Sequence, residues 1–178
     1  CIGEVLIRPD DDHLAWDIAT NSQMISFYNH VRASKSSQAT VLAHADVRLD
    51  LNEETEIIAN NLNQDLFSVT KIRGAMCLYS ISPKRIDLEL SQVVVGIDSF
   101  NEVLDEEINF VDKPEAAMRL AYCAEVSTSD TNWKNTIKAI KGDLKILIRE
   151  TQKVIDLEQG YEMSVRRGAK IQTRKMEP

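Results

Sequence analysis

Residues 133–155 read WKNTIKAIKGDLKILIRETQKVI. Trp133, Ile137, Ile140, Leu144, Leu147, Thr151 and Val154 step alternately by four and three residues, the spacing of a heptad seam. Ile146, Ile148 and Ile155 widen that seam into a broad stripe, as on a helix packed against a domain. Gly160 marks the end of the element. The pattern therefore predicts a long C-terminal helix, and the rest of the chain is read around it.

Just upstream, Asp112-Lys113-Pro114-Glu115 carries helix-start chemistry, with proline in the first turn. The helix it opens would bear Met118, Ala121, Tyr122 and Glu125 and stop in Ser127-Thr128-Ser129-Asp130. Two helices in succession make a helical hairpin over 113–160. Ser99-Phe100-Asn101-Glu102 matches a capping box and predicts a further helix to about Phe110.

The period shortens towards the N-terminus. Phe67, Val69, Ala75, Cys77, Tyr79 and Ile81 fall on alternate positions, and after the Ser82-Pro83 turn Ile86, Leu88 and Leu90 alternate with Asp87, Glu89 and Ser91. An antiparallel hairpin over 67–97 is expected, with Gly74 as a bulge. Val41, Ala43, Ala45, Val47, Leu49 and Leu51 alternate through a half-buried strand. Asn52 is placed to cap a short helix carrying Ile57, Ile58 and Leu62. Asp10-Asp11-Asp12 read as the start of a helix over 11–33, with Leu14, Ile18, Ile25, Tyr28 and Val31 on one face. The expected fold is α+β: an antiparallel sheet packed by helices and ending in a long C-terminal helical hairpin. Its parts are a mixed α/β body (1–112), the helical hairpin packed on it (113–160) and a basic tail (161–178).

The 178 residues carry a net charge of −7, unevenly spread. Residues 1–130 hold 22 acids against 10 bases, and residues 131–178 hold 6 acids against 11 bases. An acidic body argues against broad nucleic-acid binding, which needs a positive face. Arg166, Arg167, Lys170, Arg174 and Lys175 form a basic tail without interleaved aromatics, suited to headgroups or an acidic neighbour rather than to stacked bases. No aliphatic run exceeds the length of Val93-Val94-Val95, too short for a membrane-spanning helix.

No nucleophile, phosphate-loop or zinc signature occurs. Asp11, Asp12, His13 and Asp17 resemble a metal site at first sight, but they lack the glycine of a calcium loop and a second histidine. His13, His30 and His44 fall in separate elements, and Glu102 with Asp105-Glu106-Glu107 reads as a solvated acidic face. The expectation is a protein that is not an enzyme, with no catalytic residue, no metal and no cofactor.

Three cysteines remain: Cys1, Cys77 and Cys123. At that first residue the chain resembles mature bacterial lipoproteins, whose leading cysteine carries the lipid. The resemblance implies lipid attachment at Cys1 and a periplasmic, membrane-anchored location; a cytoplasmic location is the alternative. Cys77 and Cys123 then form an even pair that could bond in an oxidising compartment, or else serve as separate buried thiols. The function expected is a structural or scaffold component of a bacterial cell-envelope assembly. The surface formed by Trp133, Ile137, Ile140, Leu144, Leu147 and Val154 would dock on other protein subunits, of its own kind or of an envelope complex. The alternative is a soluble ligand-binding or sensory domain.

Overall fold

The computed structural model describes residues 1–9, 15–43, 46–62, 66–81, 85–91, 93–97, 122–129, 134–166, 168 and 171–177. Among these described residues there is no helix, and they form fifteen strands. This overturns the α+β expectation and with it the C-terminal helical hairpin.

Two wings share one strand. The first wing orders β2 (Asp17–Ile18), β1 (Val5–Arg8), β3 (His30–Ala33), β6 (Glu56–Leu62), the first half of β7 (Leu66–Ser80), β8 (Arg85–Glu89), β9 (Val93–Ile97), β12 (Leu144–Ile148) and β13 (Lys153–Leu157). The second orders β4 (Ala39–Ala43), β5 (Val47–Leu51), the second half of β7, β10 (Tyr122–Ser129), β11 (Lys134–Lys141), β14 (Tyr161–Arg166) and β15 (Ile171–Lys175). Every pairing is antiparallel except β7 with β8, which is parallel and so corrects the hairpin expected over 67–97. The true hairpin there is β8–β9.

The bend in β7 follows from its partners. Leu66 pairs with Arg85, yet only four residues lie between Ser80 and Arg85. The five chain steps that join them plus one strand spacing reach about 23 Å, whereas a straight strand of the length of β7 spans about 46 Å. β7 must therefore fold back, and it does so around Gly74, whose φ is +83°. A Cβ at Gly74 would stand 2.5 Å from the Thr55 Cα, so only glycine fits the turn. The Thr55 side chain fastens the bend, its Oγ1 donating to Ala75 O at 2.7 Å and accepting from Ala75 N at 3.0 Å.

The inner faces of both wings fuse into one apolar cluster, with Val31, Ile57, Phe67 and Leu88 from the first and Leu49, Leu78, Val126 and Met163 from the second. A polar chain also links them. The buried Lys71 ammonium donates to Thr128 Oγ1, Thr128 donates to Asn135 Oδ1 at 2.9 Å, and Asn135 Nδ2 donates to Ser91 Oγ at 3.4 Å.

The expected terminal helix is strand, turn, strand, turn, strand. Ile137 lies in β11, Leu144 and Leu147 in β12 and Val154 in β13, while Trp133 falls outside the described residues. The turns sit at Gly142, with φ +73°, and at Gln152, with φ +52°. Ile137 and Ala139, then Leu144, Ile146 and Ile148, are buried at alternate positions, which is strand periodicity. Ile140 and Val154 are exposed instead of lying on a common seam.

Elsewhere, residues 15–33 carry β2 and β3 rather than a helix, and the helix expected after Asn52 is β6. The strand expected over 39–51 is the hairpin β4–β5. The basic tail is in part ordered: Arg166 ends β14, and Arg174 and Lys175 lie in β15, whereas Arg167 and Lys170 fall outside the described residues. The end of the helix expected from Asp112 is strand, since Tyr122 and Glu125 lie in β10. Outside the described residues lie the rest of that helix, the helix expected to start at Ser99, the acidic cluster at 102–107, and Asp11, Asp12, His13 and His44.

Candidate functional site: an open edge beside an apolar cleft

β4 pairs on one side only, with β5. At its start Gln38 exchanges two backbone bonds with Ile2, at 2.9 and 2.8 Å. The N–H and C=O of Gln38 therefore face away from β5. With a repeat of two residues, those of Thr40 and Leu42 point the same way, while Ala39, Val41 and Ala43 bond towards β5. Beyond the Ile2 rung, no described strand covers this edge.

The other three edges are protected. β15 carries Arg174 and Lys175, β13 carries Lys153 and Asp156, and β2 is two residues long with Asp17. Charges and shortness are how sheets discourage pairing with a foreign strand. The sequence of β4, ATVLA, has neither charge, proline nor bulge. Leu42 is 45% exposed on it.

Alongside that edge the sandwich is open. A cleft of about 560 Å³ lies between Ala39 and Val41 of β4 and a wall formed by Val5, Ile7, Val31 and Ile57. Among the described residues, no lining side chain is charged. Residues 19–28 overhang its mouth, tied at one end by Ala19 N to Val5 O (2.8 Å) and at the other by Tyr28 N to Ala59 O (2.6 Å). Between these ties Thr20 N donates to Gln23 Oε1 at 2.9 Å, Ser22 takes a φ of +62°, and Met24 is 87% exposed. An uncharged cleft of this size lies within the range of ligand-binding pockets.

Two side-chain clusters lie on the outer faces. On the first wing the guanidinium carbons of Arg8 and Arg32 stand 4.8 and 5.8 Å from the Trp16 ring centroid, and His30 meets that ring edge-on. Glu56 there lies 3.5 Å from His30 Nδ1 and 3.2 Å from an Arg73 nitrogen. On the second wing one cross-strand row runs Thr40, Asp50, Cys77, Glu125, Lys138, Glu162, Arg174, each residue opposite the next. Its ion pairs, Lys138–Glu125 at 2.9 Å and Arg174–Glu162 at 2.7 Å, are side-by-side partners that pin strand register.

Cys77 and Cys123 are free thiols on this face. Cys77 stands opposite Glu125 and Cys123 opposite Tyr79, so the two are diagonal neighbours. Diagonal positions lie about 7–8 Å apart, beyond the span a disulfide bridges without backbone movement. Burial pushes the Cys123 thiol up to about 11, with the nearby Cys77 adding to the shift, and burial raises Cys77 as well. Cys1 is exposed and lines the cleft mouth. The structure thus brings Cys77 and Cys123 onto one face and scatters the expected docking residues over three strands. Sequence reasoning missed the β4 edge, although the uncharged run ATVLA was its visible signal.

No protein-family model and no curated protein matches the chain. Its fold does match solved structures. Two crystal structures of a protein described as a "putative anti-sigma factor" from Parabacteroides distasonis ATCC 8503, at 2.50 and 1.65 Å, align with TM-scores of 0.61 and 0.62. Identity is 11% in both, and the alignments cover 83% of this chain. The chain spans 60% of the length of those proteins. A likeness at that identity is one of fold.

Proposed function

We propose that this chain is a non-enzymatic protein-recognition module of a bacterial envelope assembly, engaged by its partner at the β4 edge. The observation that carries the reading is the contrast among the edges: three are charged or cut short, and the one beside the apolar cleft is neither. An anti-sigma factor acts against another protein, and the fold likeness supports carrying that kind of role, a regulatory protein contact, to this chain. The docking role first assigned to a C-terminal helix passes to β4.

The test is a photo-crosslinking residue at position 42, with position 172 on β15 as the comparison, in native membranes. A partner adduct from 42 that survives high-salt washing is the expected result. No adduct from 42 refutes the proposal. A melting temperature raised by a small apolar ligand would favour the ligand-binding alternative instead.

A further inference from the structure

We propose that Cys77 and Cys123 form a two-coordinate site for a soft monovalent metal ion, copper(I), on the outer face of the second wing. Both are free thiols. Both point outward, because the residues that alternate with them in β7 and β10, Leu78, Ala124 and Val126, belong to the core. Cys77 stands opposite Glu125 and Cys123 opposite Tyr79, which makes the two thiols diagonal neighbours on one face. Neither lies in a loop. Here β7 is paired with β5 and β10, and β10 with β7 and β11, so the sheet fixes the separation of the two cysteines.

That separation is too wide for a disulfide and suits a bridging metal. A disulfide has an S–S bond of about 2.0 Å and holds its Cβ atoms about 3.8 Å apart. Two metal–sulfur bonds of about 2.3 Å laid in line put the sulfurs about 4.6 Å apart. The Cβ separation then grows by about 2.6 Å, to about 6.4 Å. Diagonal Cβ atoms across an antiparallel pair stand somewhat closer than about 7–8 Å, so the metal meets the span without moving the backbone.

The surroundings select the ion. A four-coordinate ion needs further ligands, and the nearest carboxylates are engaged. Asp50, opposite Cys77 on its other side, accepts two bonds from Arg48 at 2.8 and 2.6 Å, and Glu125 accepts one from the Lys138 ammonium at 2.9 Å. Among the described residues no three of His, Cys, Asp and Glu are grouped to hold a metal. Zinc, which takes four ligands, is poorly served there, whereas copper(I) is selected by thiolates and is complete with two. Binding replaces each S–H bond by a Cu–S bond and releases both protons to solvent, with no electron transferred. The bis-thiolate keeps one negative charge, which Lys141 opposite Cys123 and Lys138 near Cys77 offset. The Tyr79 hydroxyl, hydrogen-bonded to Cys77, orients that sulfur.

The test is anaerobic titration of the reduced full chain with copper(I) against bicinchoninate as competing chelator, read by native mass spectrometry and X-ray absorption. The expected result is one copper per chain, a mass gain of one copper less two protons, and a metal bonded to two sulfurs. Cys77→Ser and Cys123→Ser should each weaken retention by about a hundredfold or more, and Tyr79→Phe by about tenfold, whereas Cys1→Ser should change nothing. Cys77 is only half-buried, so Cys77→Ser and Cys77→Ala carry the test should Cys123→Ser fail to fold. Copper lost to the chelator, retention that survives loss of the Cys77 thiol or vanishes with Cys1→Ser, or one copper shared by two chains overturns the proposal. So does a metal with nitrogen or oxygen neighbours. A two-proton mass loss under mild oxidant that joins the peptides of Cys77 and Cys123 also overturns it, because thiols able to bond directly stand too close for the bridge.

Discussion

Replacing Thr55 by valine changes shape hardly at all and removes one hydroxyl from a fully buried side chain. That hydroxyl serves both backbone groups of Ala75 at the fold-back of β7. The losses are unequal. Ala75 O keeps a second donor, Asn52 N at 3.0 Å, so it forfeits only a net bond of about 0.5–1.5 kcal/mol. Ala75 N–H has no such alternative in the clamp and is left unsatisfied, at about 1–3 kcal/mol. Together Thr55→Val should cost about 2–4 kcal/mol, or roughly 4–16 °C of Tm at ~2–4 °C per kcal/mol for a chain of this size. Thr55→Ser keeps the hydroxyl and loses one methyl group, about 1 kcal/mol. Urea unfolding followed by both tryptophan fluorescence and far-UV circular dichroism gives the numbers. A valine variant within about 0.5 kcal/mol of wild type, or serine and valine equally damaging, would refute the clamp. Two separate transitions would show that the wings are not coupled through β7.

Four further outcomes are expected. Gly74→Ala should unfold the chain or cost more than about 3 kcal/mol, since a left-handed residue would acquire a Cβ 2.5 Å from backbone; thermal melting reads it. Ile137→Ala should cost about 2–5 kcal/mol and Ile140→Ala under about 1 kcal/mol, because only the first is buried; a heptad helix would penalise both, so paired denaturation curves discriminate. Lys138→Glu sets three carboxylates in line with Glu125 and Glu162 and should cost about 1–2 kcal/mol, partly recovered in 1 M salt. At pH 8, iodoacetamide should label exposed Cys1 well before Cys77 or Cys123, whose thiols are held protonated; peptide mass spectrometry follows it. The raised Cys123 value also signs a pH effect. The neutral thiol is favoured in the fold, so its contribution is fully present below about pH 9 and is lost as pH rises towards 11.

What could be read in the letters was the period-two alternation. Val41, Val47, Leu49 and Leu51, and Phe67 with Val69, lie in strands and are buried as expected, but beyond the bend at Gly74 the face is reversed: Met76 and Leu78 are buried, and Ala75, Cys77 and Tyr79 lie on the other face. The C-terminal error was one of aliasing. Two strands of five to eight residues joined by a two-residue turn repeat their buried positions about every seven residues, which a heptad also does. Gly142-Asp143 and the alternation Leu144, Ile146, Ile148 were the clues to the other solution. Asn52 misled because its chemistry suits a turn as well as a helix cap; here Thr55 N donates to its carbonyl in a turn. The open edge could not be read at all beyond its lack of charge. Whether ATVLA lies at the margin or the centre of a sheet depends on Leu51, Met76 and Val126 pairing across the chain, and no local pattern encodes that.

One strand in two sheets has a consequence for synthesis. As the chain leaves the ribosome, β4, β5 and β6 emerge before the strand that joins them, and β7 then waits for β10 on its other side. The first wing is not closed until β13 appears, nor the second until β15, within a few residues of the last described position. Apolar rows on strands made early therefore stay uncovered until β10 to β15 are made. Such exposed rows and unpaired edges are what make a nascent chain prone to aggregate, and the uncharged edge of β4 is among the first of them to emerge.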